Sequence, residues 1–166
     1  MNILYLSDIR FPLERANGIQ TMETCYALSE RGHNVQLIVR PDTSLPARDP
    51  FKFYGLTSNS RLTFEYVPVM GPPIARRAVY LAHVIGRFLD SRQWGMIFTR
   101  DLGVAAMALK LPSRLRAPVV YESHGYAPVF AETLPELVTG KVSGGARKLR
   151  RLEKRERQVW QCADGY

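Results

Sequence analysis

Cysteine is scarce in this chain, with only Cys25 and Cys162 among 166 residues. They stand far apart, and neither has a histidine or second cysteine at ligand spacing. A disulfide framework and a zinc-type site are therefore disfavoured, and two reduced thiols are expected. Long apolar runs are missing too. The hydrophobic stretches are short and broken by charge, which excludes a transmembrane helix. The opening Met1-Asn2-Ile3-Leu4-Tyr5-Leu6-Ser7-Asp8 lacks the basic start and cleavage site of a secretory signal, so a cytoplasmic protein is expected. No G-x-G-x-x-G fingerprint follows this first apolar run, and G-x-x-x-x-G-K-S/T occurs nowhere. A dinucleotide-binding dehydrogenase or epimerase and a P-loop enzyme are disfavoured accordingly. A G-x-S-x-G nucleophile elbow is absent as well.

What is present suffices for one globular domain, since 46% hydrophobic content over this length can build a core. Residues 2–7 form a continuous apolar run, the pattern of a strand buried on both faces of a parallel sheet. A polar loop is expected from Asp8 to Gly18. Residues 19–31 carry Ile19, Met22, Cys25, Tyr26 and Leu28 at near-helical spacing, and Gly32 sits where a C-cap glycine belongs. Residues 35–39 read as the next strand, completing a βαβ unit.

The alternation continues. Residues 41–50 form a proline-rich loop, and 62–67 a strand ending at Pro68. Residues 75–92 form a helix with Ala78, Leu81, Ala82, Ile85, Phe88 and Leu89 on one face. Strands are expected at 95–99 and 118–122, separated by a small-residue helix over 102–111. The stretch after His124 reads as irregular because of Pro128, Pro135, Gly140, Gly144 and Gly145, and a basic helix then runs to about Cys162. Strands alternating with helices argue an α/β, Rossmann-like, doubly wound parallel sheet.

In such sheets ligands bind beyond the carboxyl ends of the strands. Those ends carry Ser7-Asp8, Arg40, Thr99-Arg100-Asp101 and Glu122-Ser123-His124-Gly125, polar residues against apolar strand bodies. Asn17-Gly18-Ile19-Gln20 enters a helix N-terminus, where unpaired N–H groups and the helix dipole favour an anion such as a diphosphate. A glycine merely making the turn explains Gly18 equally well. Of the three histidines, His33 reads as structural and His83 as solvated beside Arg87 and Asp90. His124, directly after a buried strand and before glycine, can hydrogen-bond a neutral hydroxyl or work as an acid or base.

These segments together resemble the N-terminal domain of the family 4 glycosyltransferases. The resemblance rests on residues 1–8, the Gly18 loop, and Ala27-Leu28-Ser29-Glu30-Arg31-Gly32-His33-Asn34-Val35. Phe98-Thr99-Arg100-Asp101, Val120-Tyr121-Glu122-Ser123-His124-Gly125 and the closing helix to Ala163-Asp164-Gly165-Tyr166 add to it. It covers nearly the whole chain in order; each motif is weak alone and their order is fairly specific.

The resemblance implies a GT-B fold, two Rossmann-like domains facing across a cleft. Residues 1–166 would be the acceptor-side domain, with the C-terminal donor-binding domain absent. It implies a hexosyltransferase-type enzyme moving a sugar from a nucleotide diphosphate sugar to a carbohydrate or lipid-linked acceptor hydroxyl, with retention and without a metal or other cofactor. His124 would hydrogen-bond the transferred sugar, and Gly18 would lie near the donor diphosphate. Asn17 replaces one of the family's two adjacent loop glycines. Arg100, Glu122 and Asp8 would be polar cleft residues.

The formal charge of +8 is concentrated: residues 146–158 hold seven cations against Glu153 and Glu156. Arg147, Lys148, Arg150, Arg151 and Lys154 alternate with Leu149, Leu152, Val159 and Trp160. This spacing fits a helix docking its apolar stripe on the sheet. It also fits a surface meeting an anionic membrane, which would place the protein peripherally at the inner face. Nucleic acid is disfavoured, since no recognised module accompanies the charge. Two non-enzymatic readings stay open, a stand-alone nucleotide- or sugar-binding module and a basic membrane adaptor.

Overall fold

The computed structural model describes residues 1–43, 46–89, 93–139 and 145–166. Asp90, Arg92, Gly140 and Gly144 lie outside the described residues. Five parallel strands form one sheet: β1 (Asn2–Phe11), β2 (Asn34–Pro41), β3 (Leu62–Tyr66), β4 (Met96–Thr99) and β5 (Val119–Tyr121). Their order is β3-β2-β1-β4-β5. The chain winds outward from β1 in one direction and then in the other, so the α/β doubly wound reading holds. The switch point falls between β1 and β4.

The helices are α1 (Ala16–Glu30), α2 (Pro50–Phe53), α3 (Pro73–Leu89), α4 (Leu102–Ala108), α5 (Ala127–Thr139) and α6 (Ala146–Cys162). Alternate β1 side chains face opposite layers. Leu4 and Leu6 pack with Tyr80, Val84 and Phe88 of α3 and Val104 of α4. Ile3 and Tyr5 pack with Met22 and Cys25 of α1. Cys25 is a buried apolar filler, Cys162 is exposed, and both are free thiols. No described helix is long and apolar enough to cross a membrane.

The face of α3 that turns inward carries Tyr80, Val84 and Phe88; of the expected face, Ala78, Ala82 and Ile85 are exposed. Three further expectations need correction. First, β1 does not stop at Ser7. Leu6 pairs with Ile38 but Arg10 pairs with Arg40, so four steps along β1 match two along β2. The intervening residues bow out as a bulge, and β1 resumes because Phe11 buries fully against Tyr54 and Phe64. Second, α1 begins at Ala16, so Asn17 and Gly18 lie in its first turn rather than in a loop. Third, the stretch after His124 holds α5, because Pro128 occupies its first turn, where a missing N–H costs nothing.

Helix α6 docks by its apolar side. Val159 is fully buried with Ala105, Ala106 and Tyr121. Beside it Glu156 is buried, and its Oε2 accepts a hydrogen bond from the Ala127 N–H at 3.1 Å. Burial pushes the Glu156 carboxyl up, against the opposing hydrogen bonds from Ala127 and Tyr121. An acid of the basic helix thus caps α5 and ties two helices together. Trp160 lies tilted against Tyr126 at 5.8 Å and edge-to-face with Tyr166 at 5.9 Å. The last residues lie along β5, with Tyr121 N–H donating to the Gly165 carbonyl at 3.0 Å.

Glu156→Ala is expected to cost roughly 1–3 kcal/mol, since it strands the Ala127 N–H and opens space beneath α6. Glu153→Ala, which loses only an exposed pair with Arg157 at 3.6 Å, should cost about 0–0.5 kcal/mol. Urea unfolding of the two variants checks the contrast.

Candidate active site

The β1 bulge lies at the switch point, and a pocket of about 240 Å³ opens there. Ser7, Asp8 and Ile9 of the bulge, Asn17 and Thr21 of α1, Arg100 and Asp101 after β4, and His124 after β5 line it.

An ion cluster holds its walls together. Arg77 of α3 pairs with Asp8 and reaches both Asp101 oxygens, at 2.7 and 2.5 Å. Asp8 also takes Arg40 Nε at 2.7 Å, and Arg40 Nη2 donates to the Asp8 carbonyl at 2.8 Å. Asp101 in turn caps α4, accepting from the Gly103 and Val104 amides at 2.8 and 3.0 Å. Burial alone would raise the Asp101 pKa. The hydrogen bonds and charge of Arg77, with the two amides, outweigh it and hold the carboxyl below its usual range.

His124 sits in a second network. Arg100 Nη2 lies 2.5 Å from His124 Nδ1, and Arg100 Nε lies 3.3 Å from Glu122 Oε1, which also accepts from Gln20 Nε2 at 3.2 Å. A guanidinium can only donate, so Nδ1 must be the acceptor and the neutral ring carries its proton on Nε2. Partial burial, and then the Arg100 charge, push the His124 pKa below its ordinary value, with Glu122 opposing. The pocket thus presents a neutral imidazole with one N–H to give. The following turn needs glycine: Gly125 has φ +117°, and a Cβ there would meet the Phe130 ring at 2.7 Å.

Four of the residues chosen from sequence come together in the pocket wall: Asp8, Asn17, Arg100 and His124. Glu122 lies behind them as the partner of Arg100. Gly18 does not line the pocket. Its N–H is spent on the Arg15 carbonyl at 2.8 Å, and a Cβ would meet the Leu13 carbonyl oxygen at 2.5 Å. Close packing is therefore reason enough for glycine there. Ile19 is exposed and also outside the lining. Arg147, Lys148, Arg150, Arg151 and Lys154 line a separate groove of their own on α6. His83, expected to be solvated, is half-exposed and meets Glu65 Oε1 at 2.5 Å.

Sequence reading missed Arg77 and Thr21. Arg77 precedes the apolar stripe of α3, and nothing nearby in sequence announces two carboxylates 69 and 24 positions away.

A family model for a glycosyl transferase 4-like domain matches residues 18–166. Among solved structures the chain is similar to sucrose-phosphate synthase from Thermosynechococcus elongatus, at 12% identity and TM-score 0.61, over 98% of this chain and 41% of that one. Looser likenesses include WaaG, a glycosyltransferase involved in lipopolysaccharide biosynthesis, at 15% identity and TM-score 0.44, over 92% of this chain and 35% of that one. Another is the C-terminal domain of a hydrogenase from Pyrococcus furiosus, at 17% identity and TM-score 0.48, over 73% of this chain and 89% of that one. The first shows the fold alone, and the other two are too loose to argue from. No curated protein matches. The chain thus spans less than half the length of the synthase.

Arg77→Met is expected to lower stability at pH 7 by roughly 3 kcal/mol, because it leaves Asp101 without its cation and Asp8 with Arg40 alone. The sign with pH follows from the depressed Asp101 pKa. The Arg77 contribution is fully present above the ordinary carboxylate range and is lost as pH falls through the folded value. The gap between wild type and variant should therefore close in acid. Chemical unfolding at pH 7 and pH 3 reads both effects.

Proposed function

From its membership of the glycosyl transferase 4-like family, carried by residues 18–166, we propose that this glycosyltransferase domain forms the acceptor side of a sugar-transfer cleft. The donor would be a nucleotide diphosphate sugar, the acceptor a carbohydrate or lipid-linked hydroxyl, and the transfer hexosyl and retaining. A second Rossmann-like domain would close over the carboxyl ends of the strands and supply most donor contacts.

The observation that carries the reading is the contact of Arg100 Nη2 with His124 Nδ1, from which the Nε2–H tautomer follows. A neutral sugar hydroxyl is best held by a neutral donor, and Arg100 leaves His124 that one role. Because the ring resists protonation, it neither repels nearby cations nor competes for the diphosphate charge. The N-terminus of α1, with Asn17 at the pocket wall, offers a favourable dipole to that diphosphate, while the Gly18 and Ile19 amides are spent on the Arg15 carbonyl. Catalysis would rest on positioning the acceptor and on electrostatic stabilisation of the leaving group.

A second reading is favoured by α6. Its apolar side is turned inward, while Arg147, Lys148, Arg150, Arg151 and Lys154 are exposed. Electrostatic attachment to an anionic membrane is the contact this leaves open, with peripheral placement at the cytoplasmic face. It is compatible with transfer rather than an alternative to it.

His124→Ala in the enzyme carrying this domain should lower kcat at least about 100-fold, the usual cost of one preorganised donor, with thermal stability unchanged. Steady-state transfer from a panel of nucleotide diphosphate hexoses reads the first, and thermal unfolding the second. Wild-type turnover in a folded variant rules out the assignment.

A further inference from the structure

Beside the His124 pocket lies a second one, of about 200 Å³, that the reaction outlined above does not use. Arg10 and Arg40 are direct partners across β1 and β2, just beyond the bulge. Arg76 of α3 joins them, with Asp42, Thr43 and Val69 completing the wall. Like charges opposite one another on paired strands repel, so an anion between them would be favourable.

The described acids beside the cavity are already engaged. Arg40 is neutralised by Asp8, which also serves Arg77. Asp42 is engaged by Arg48 Nε at 2.5 Å and by the Thr43 amide at 2.7 Å. Among the described residues neither Arg10 nor Arg76 makes a side-chain hydrogen bond or ion pair, and Arg76 Nε is buried without a partner. A buried guanidinium nitrogen without a partner is costly, and a small cavity lined by three arginines suits a tetrahedral or planar oxyanion.

We propose that Arg10, Arg40 and Arg76 form an anion subsite that binds a phosphate or carboxylate carried by the acceptor. Arg40 ties this subsite to Asp8 in the wall of the His124 pocket, so an acceptor anchored here would keep its hydroxyl side over the switch point. Volume argues the same size: at about 30 Å³ per water, the cavity holds one anionic group with a few waters, not a nucleotide. The inference rests on reading the crevice as a sugar-acceptor site, but its test does not use transfer.

The probes are inorganic phosphate and acetate, titrated into the chain at constant ionic strength and followed by the arginine Nε–Hε resonances. Saturable shifts at Arg10 and Arg76 are expected, with phosphate alone pointing to a phosphorylated acceptor and acetate binding as well pointing to a carboxylate. Arg76→Gln should weaken binding roughly tenfold, the loss of one charge-assisted contact. Arg10→Gln, at an exposed position, gives a second test that does not disturb α3. Shifts confined to the cations of α6, no saturable shift at all, or unchanged affinity in both variants would overturn the proposal. Failure here with an inactive His124→Ala enzyme would remove the subsite alone; failure of the His124 assignment would leave phosphate binding untouched.

Discussion

The crevice depends on Arg77. One guanidinium from α3 spans the carboxyl ends of β1 and β4 by binding Asp8 and Asp101 together, at the one place in the sheet where the winding direction reverses. The β1 bulge pushes Asp8 toward that cation, and Asp101 fixes where α4 starts. Remove the charge and Asp101 loses its cation while Asp8 keeps only Arg40, so nothing ties α3 to both strand ends. The pocket is therefore a product of electrostatics laid over topology, and neither alone would make it.

Backbone topology was legible because the apolar periodicities are clean. The apolar runs at 2–7, 35–39, β4 and β5 are each followed by polar residues, but the inward face of α3 is not the expected one: Tyr80, Val84 and Phe88 turn inward while Ala78, Ala82 and Ile85 are exposed. The bulge was not legible, since Asp8, Ile9 and Arg10 look like the start of a loop; only the burial of Phe11 against aromatics far along the chain pulls β1 onward. Helix α5 was hidden by its prolines, which read as breaks unless one lies in a first turn. Asp8, Asn17, Arg100 and His124 were legible from their places at strand ends and the helix start. Arg77 was not, because ion pairs between elements leave no local pattern. Gly18 shows the converse: a glycine expected at a ligand is also required by a carbonyl oxygen 2.5 Å from its missing Cβ.

Helix α6 shows how charge and burial divide one segment. Val159 and Glu156 face the fold while the cations face outward, so the helix both completes the layer over α4 and α5 and concentrates positive charge at one surface. Positive charge thus occurs in two settings of different kind, a solvated array on α6 and the confined cluster beside the switch point. The first attracts anions loosely and with strong salt dependence; the second can select their shape.

Burial, and then Arg100, hold His124 neutral at the mouth of the crevice, with Arg100 placing the proton on Nε2. Nitrogen-15 spectra of the His124 ring, recorded against pH in the wild type and in Arg100→Gln, test it most directly. The account predicts an unprotonated Nδ1 at neutral pH and titration below the ordinary histidine value of about 6.5, moving upward when Arg100 is replaced. A proton on Nδ1, or a titration at or above the ordinary value that Arg100→Gln leaves unchanged, would contradict it.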